Sequence, residues 1–134
     1  MLLELPQPGI IEQFEQLIAG KNTLQIREFL DNQNISDVAS LINEFPEYEA
    51  QIIANMAIHR ASSVFKILDI AQQKNIIKEL PSAKTAELLN ELPADDRTDF
   101  LEELPKAAIR DLIKLLDPEE RKITLSLSPL AFFM

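Results

Sequence analysis

ELPSAKTAELLNELPADDRTDFLEELPKAAIRDLIKLLDPEER, residues Glu79 to Arg121, is the stretch that decides the fold. Pro81, Pro93 and Pro105 lie 12 residues apart, and Asp117 continues the step. Proline lacks the N–H and clashes with the preceding turn, so each of these slots ends one helix and opens the next. At Asp117 the slot holds an N-cap residue, with Pro118 at the first helical position. Apolar residues recur five, four and one positions before each slot: Leu88, Leu89 and Leu92, then Phe100, Leu101 and Leu104, then Leu112, Ile113 and Leu116. These offsets place each triplet on one helical stripe.

The pattern extends towards the N-terminus. Ile76, Ile77 and Leu80 precede Pro81, and Val64, Phe65 and Leu68 precede Asp69. Ile52, Ile53 and Met56 follow the same offsets, as do Leu41, Ile42 and Phe45 before Pro46. Each unit predicts a helix of about 8–10 residues, too short to persist alone in water. Its stripe must bury against neighbouring helices, and stacked units form a continuous core. One buried Leu contributes roughly 1.5–3 kcal/mol, so three hold a short helix in place. The expected fold is all-α: a superhelical solenoid with a repeat of about 12 residues. Before the repeat, a helix is expected from about 10 to 19, with Gly20 as its stop. A second is expected with Thr23 as its cap, and a third near Ser36. No strand alternation is present.

The rest of the 134-residue chain bounds the function. It is 46% apolar, so it is expected to fold rather than remain disordered. The absence of cysteine excludes disulfides, thiolate metal sites and cysteine nucleophiles. The net charge of −9 argues against nucleic acid and anionic lipid, and for a partner that is cationic, a metal ion or a protein. Residues 79–120 carry net −7, so the acidity is concentrated beside the repeat. No signal peptide opens the chain, and no run reaches the ~20 apolar residues that span a bilayer. A soluble cytoplasmic chain without direct membrane insertion is expected. The last residues, ITLSLSPLAFFM, are apolar but short; the chain divides into a helical-repeat domain over 1–122 and a C-terminal tail over 123–134.

No catalytic constellation stands out. Gly9 and Gly20 build no phosphate loop. His59 lies in the polar run IHRASS and reads as a partly exposed side chain without a role; no base is placed beside Ser62 or Ser63. An enzyme is not expected. The carboxylates are more informative. Asp95 and Asp99 are four apart on one predicted helix and share a face, with Asp96 beside Asp95. Glu87, Asp99 and Asp111 occupy one slot in three successive units, and Glu79, Glu91 and Glu103 another, so stacked units would align them in two ridges. Acids in a first helical turn favour the helix dipole by ~0.3–1 kcal/mol each, and an acidic face aids solubility, so these residues have a purely structural use. They also suit a hard divalent cation such as Mg2+, which keeps several waters and uses one or two carboxylates. Two carboxylates ~6 Å apart repel by roughly 1–3 kcal/mol at an effective dielectric near 20, and a bound cation removes that cost.

The run ELLNELPADDRTDFLEELP, followed by LLDPEERK, resembles the intracellular N-terminal domain of MgtE-type magnesium transporters. The resemblance covers about residues 10–125. It implies a right-handed, armadillo-like superhelix on the cytoplasmic face of the membrane, ahead of CBS domains and a transmembrane pore in a homodimer. It implies Mg2+ sensing: ions bound at acidic interfaces with the CBS domains hold the pore closed, and their loss lets it open. The implied metal ligands are Asp95, Asp99 and Asp96, binding Mg2+ weakly and jointly with a partner domain. A further family acid aligns with Ser63, which has no carboxylate. The chain departs from the family after the LLDPEER region, where a linker to the CBS domains is expected; ITLSLSPLAFFM reads either as a truncated linker or reading frame or as the end of a free-standing relative. The flagellar switch protein FliG has similar short-helix repeats. That weaker resemblance implies the alternative, a protein-interaction scaffold without ion sensing.

Overall fold

The computed structural model describes residues 9–127. Ten α-helices and one 3-10 turn are found among them, and no strand. None of these helices is long and apolar enough to cross a membrane. The helices are α1 (Ile10–Gly20), α2 (Thr23–Asp31), α3 (Ile35–Glu44), α4 (Glu49–Ala54), α5 (Ile58–Phe65), α6 (Ile70–Glu79), α7 (Ser82–Glu91), α8 (Ala94–Glu102), α9 (Lys106–Ile113) and α10 (Pro118–Ser126), with the 3-10 turn at Pro46–Tyr48 before α4. The breaks fall at the proline slots: Pro81, Pro93 and Pro105 precede α7, α8 and α9, and Pro118 opens α10. Each stripe forms core. Leu88, Leu89 and Leu101 are fully buried, as are Val64, Phe65, Ile76 and Ile53. The boundary expected at 122/123 falls within α10, where Thr124 is buried; residues 128–134 lie outside the described residues.

The N-terminal helices differ in detail from their sequence reading. Asn22, not Thr23, caps α2, its Oδ1 accepting from the Gln25 N–H at 3.0 Å. Asn34 caps α3 in the same way at Asp37, at 2.8 Å. An amide oxygen one residue upstream reaches the orphan N–H and leaves Thr23 as the first helical residue. Gly20 is not the stop of α1. It remains helical, and Lys21 takes the left-handed conformation (φ 54°), its N–H donating to the Leu17 and Ile18 carbonyls at 3.1 Å. Phe14 is fully buried in an aromatic cluster, 5.2 Å from Phe45 and 6.2 Å from Tyr48 between ring centroids.

Most close helix pairs in the repeat link elements two apart, α3 with α5, α4 with α6, α5 with α7 and α8 with α10, while α4 also lies close to its neighbours α3 and α5. This alternation appears in the side chains as well. In the slot four residues after each break stand Ala61, Gln73, Thr85, Arg97, Ile109 and Arg121. Ala61, Thr85 and Ile109, on α5, α7 and α9, are buried. Gln73, Arg97 and Arg121, on α6, α8 and α10, instead reach back eight residues to a carbonyl ending the previous helix. Gln73 Nε2 donates to Phe65 O at 2.8 Å, Arg97 Nη1 to Leu89 O at 3.1 Å and Arg121 Nε to Ile113 O at 3.2 Å. The last carbonyls of a helix lack intrahelical partners, and with two glycines in the chain the usual glycine cap is scarce; long donor side chains fill the role. Arg60 does the same for α2, bonding Leu30 O at 2.9 Å and also Gln33 O. The 12-residue sequence repeat thus builds a structural unit of two helices.

Candidate functional site

The first residues of α8 follow Pro93, which offers no side-chain cap. Asp95 and Asp96 supply negative charge to that turn instead, where the helix dipole favours it. One face of α8 then carries Asp96, Asp99 and, just past its end, Glu103. The spacing of three and then four residues puts all three on one side. These carboxylates line a cleft of about 340 Å³ together with Lys66 from the end of α5 and Gln73 of α6. Phe65 and Phe100 line it as well, edge to face with centroids 5.4 Å apart.

The cleft groups the expected residues unevenly. Asp96 and Asp99 line it; Asp95 is exposed and does not. Glu103 joins them, although the sequence reading set it in a separate ridge. Its signal was the spacing Asp96, Asp99, Glu103 on one helix face. The expected ridge of Glu87, Asp99 and Asp111 does not gather in one concavity, since the closest pairs from α7 onward are α5 with α7 and α8 with α10. Asp111 lines a different concavity from Asp99, and Glu87 is exposed on α7. The second ladder spreads out for the same reason. Glu79 acts on the buried Glu49 at the start of α4, and Glu91 Oε1 lies 3.0 Å from His59 Nδ1 at the start of α5. The His59 side chain is 84% exposed. Ser63 Oγ donates to the His59 carbonyl at 3.2 Å.

Two buried charged groups escaped the sequence reading. Arg97 follows the acidic pair directly and is 0% exposed. Its Nε donates to Thr124 Oγ1 at 2.7 Å, its Nη1 also to Leu92 O at 3.3 Å, and its Nη2 to Glu120 Oε2 at 2.7 Å. This fastens α8, the helix that carries the cleft carboxylates, to α10. Its sequence signal was the shared slot with Arg121 and Gln73. Glu49 is the other. Burial pushes its carboxyl above the usual carboxylate range, opposed by a hydrogen bond with Asn75 and reinforced by the charges of Glu79 and Asp69.

Short amphipathic helices, most of them paired two apart, with an acidic cleft on one side, define an all-helical domain of the helical-repeat class. The family is specific: the model described as the MgtE intracellular N domain matches residues 11–128, and the chain belongs to that family. Among solved structures it is similar to the cytosolic domain of the Mg2+ channel MgtE in complex with ATP, with 26% identity and a TM-score of 0.77. That match covers 84% of this chain and 47% of the other, so the chain spans about half the length of that relative. No curated protein matches the sequence.

Proposed function

We propose that the chain is the cytoplasmic Mg2+-sensing regulatory domain of a magnesium transporter or channel, acting on the pore through divalent ions held at acidic interfaces with CBS domains. The observation that carries this reading is the meeting of Asp96, Asp99 and Glu103 in one cleft of a chain that belongs to the MgtE intracellular N domain family. The prevalence of helix pairs two apart supports a superhelical solenoid as its architecture, right-handed as the family resemblance implies. In this reading the domain sits on the cytoplasmic face of the membrane, in a homodimeric transporter.

The donor set fits a hydrated cation. Carboxylate oxygens are hard ligands, and Mg2+ gives up its waters reluctantly. Six waters at ~30 Å³ each occupy about 180 Å³, which the 340 Å³ cleft accommodates. Among the described residues no group of three or more His, Asp or Glu is set to hold an ion directly. Asp96 and Asp99 would therefore hold the ion through its waters, with Glu103 on the same side and Asp95 adding charge from outside the cleft. A facing acidic surface of the CBS domains supplies the rest. Lys66 competes for the same carboxylates and keeps the affinity low. With the ion bound, two acidic surfaces approach; without it they repel, and the pore is released.

The test is a Mg2+ titration of the isotope-labelled chain, followed by amide NMR at constant ionic strength. Shifts should cluster at residues 95–103, saturate on the order of millimolar Mg2+, and be lost in Asp96→Asn with Asp99→Asn. Shifts no larger than those given by Na+ would sink the site. Joined to its CBS partner, the chain should gain protease resistance with Mg2+; no gain would remove the sensing role.

A further inference from the structure

A second concavity, of about 500 Å³, opens between α6, α8 and α9, with Phe100 in its wall. Nearly every stripe residue of the repeat is buried. The half-buried exceptions are Phe45, in the N-terminal aromatic cluster, and Ile77, Leu104 and Leu112. All three of the latter line this groove. Helix α9 packs through Ile109 and Ile113 but is not among the closest helix pairs. Among the described residues the apolar stripe is therefore only half covered here.

Charge indicates what covers it. Lys74 and Lys78, four apart on α6, line the same groove. Neither makes an ion pair among the described residues, in a chain of net charge −9. Asp111 of α9 also lines it, so the groove is basic towards α6 and acidic towards α9. Elsewhere in this molecule such stripes are covered by another short amphipathic helix, and helix-in-groove docking uses the same contacts between molecules.

We propose that this groove docks an amphipathic helix of a partner protein, with its apolar face on Ile77, Leu104 and Leu112 and a pair of carboxylates on Lys74 and Lys78. The docking is independent of the cation reading, since it uses neither Asp96 nor Asp99.

The probe is a fluorescent synthetic helix of about fourteen residues, with leucines along one face and two glutamates four apart beside them. One control carries lysines in place of the glutamates, and another is scrambled. Binding to the full chain is read by anisotropy, and the contact by methyl NMR of Ile77, Leu104 and Leu112. The acidic helix should bind about tenfold more tightly than the basic one, and Lys74→Glu with Lys78→Glu should invert that order. The three methyl groups should shift, and added Mg2+ should change none of this at constant ionic strength. Both lysines lie away from the buried stripes, and an unchanged thermal melt confirms that the double variant is folded. Equal binding of the three peptides, or no effect of the lysine reversals, overturns the proposal. So does self-association in ultracentrifugation that Leu112→Glu abolishes, which would assign the face to a second copy. Shifts with dodecanoate but with no peptide would assign it to a small anionic amphiphile.

Discussion

Arg97→Met should detach α10 from the rest of the domain. Methionine keeps most of the apolar stem and deletes the guanidinium. That group is 0% exposed and serves the Leu89 and Leu92 carbonyls, Thr124 Oγ1 and the Glu120 carboxylate. Removing one partner of a buried charged pair costs about 3–5 kcal/mol, because the groups left behind stay desolvated. The Glu120 side chain is 33% exposed and regains water, and Thr124 Oγ1 keeps its bond to the Glu120 carbonyl at 2.8 Å. Both place the loss near the lower end, about 3 kcal/mol. With a urea m value of about 2 kcal/mol/M, the unfolding midpoint should fall by about 1–2 M. Arg97→Lys, a point charge unable to reach all of these partners, should fall between the parent and Arg97→Met. Urea titrations followed by circular dichroism measure the loss, and hydrogen exchange in α10 tests its location. A loss under about 1 kcal/mol for Arg97→Met would refute the reasoning, since it would mean that the guanidinium is not desolvated in the native state.

Lys21→Gly should stabilise the domain by about 0.5–1 kcal/mol, because glycine adopts the left-handed conformation (φ 54°) without a Cβ penalty; a lower thermal midpoint would show that the lysine contributes more than its backbone costs. Leu101→Asp places a carboxylate at a fully buried position in the middle of the repeat and should abolish cooperative unfolding, whereas a melt within a few degrees of the parent would contradict the core assignment. Glu49 titrates above the usual carboxylate range in the folded state, mainly through burial. The native protein therefore holds that proton more tightly than the unfolded chain does, and its contribution, full in acid, is lost as pH rises through the folded value. Glu49→Gln should be the more stable protein at neutral pH, with the difference shrinking in acid; a difference that stays flat from about pH 4 to 7 would exclude the linkage.

The stripes and breaks were legible because proline position and apolar spacing are local properties. Pro81, Pro93 and Pro105 act on their own backbone, and Leu88 with Leu89 must share a face wherever the helix goes. Which helix faces which was not legible. The 12-residue period is blind to whether unit n meets unit n+1 or n+2, and that choice decides whether Asp99 lies beside Asp111 or beside Lys66. The candidate site was half legible for the same reason. Asp96 and Asp99 follow from one helix, while the separation of Asp95 from the cleft depends on where α5 and α6 lie. Arg97 was hidden by its composition: a charged residue in the run DDRTD reads as surface, and only its partners on α7 and α10 make burial tolerable. Asn22 and Lys21 were missed because several residues near a helix end can serve as cap or stop, and the backbone decides among them.

The alternation of Gln73, Arg97 and Arg121 with Thr85 and Ile109 sets a rule for how such a chain can be lengthened or shortened. Excising Pro81–Leu104 joins α6 to α9 and keeps every remaining helix in its role. Excising Pro81–Leu92 alone preserves the 12-residue period, yet brings α6 and α8 into succession, so that two carbonyl-capping side chains compete where one buried residue is required. Growth by duplication in this lineage should accordingly have proceeded by helix pairs, with single-unit duplications surviving only where the slot residue was exchanged as well.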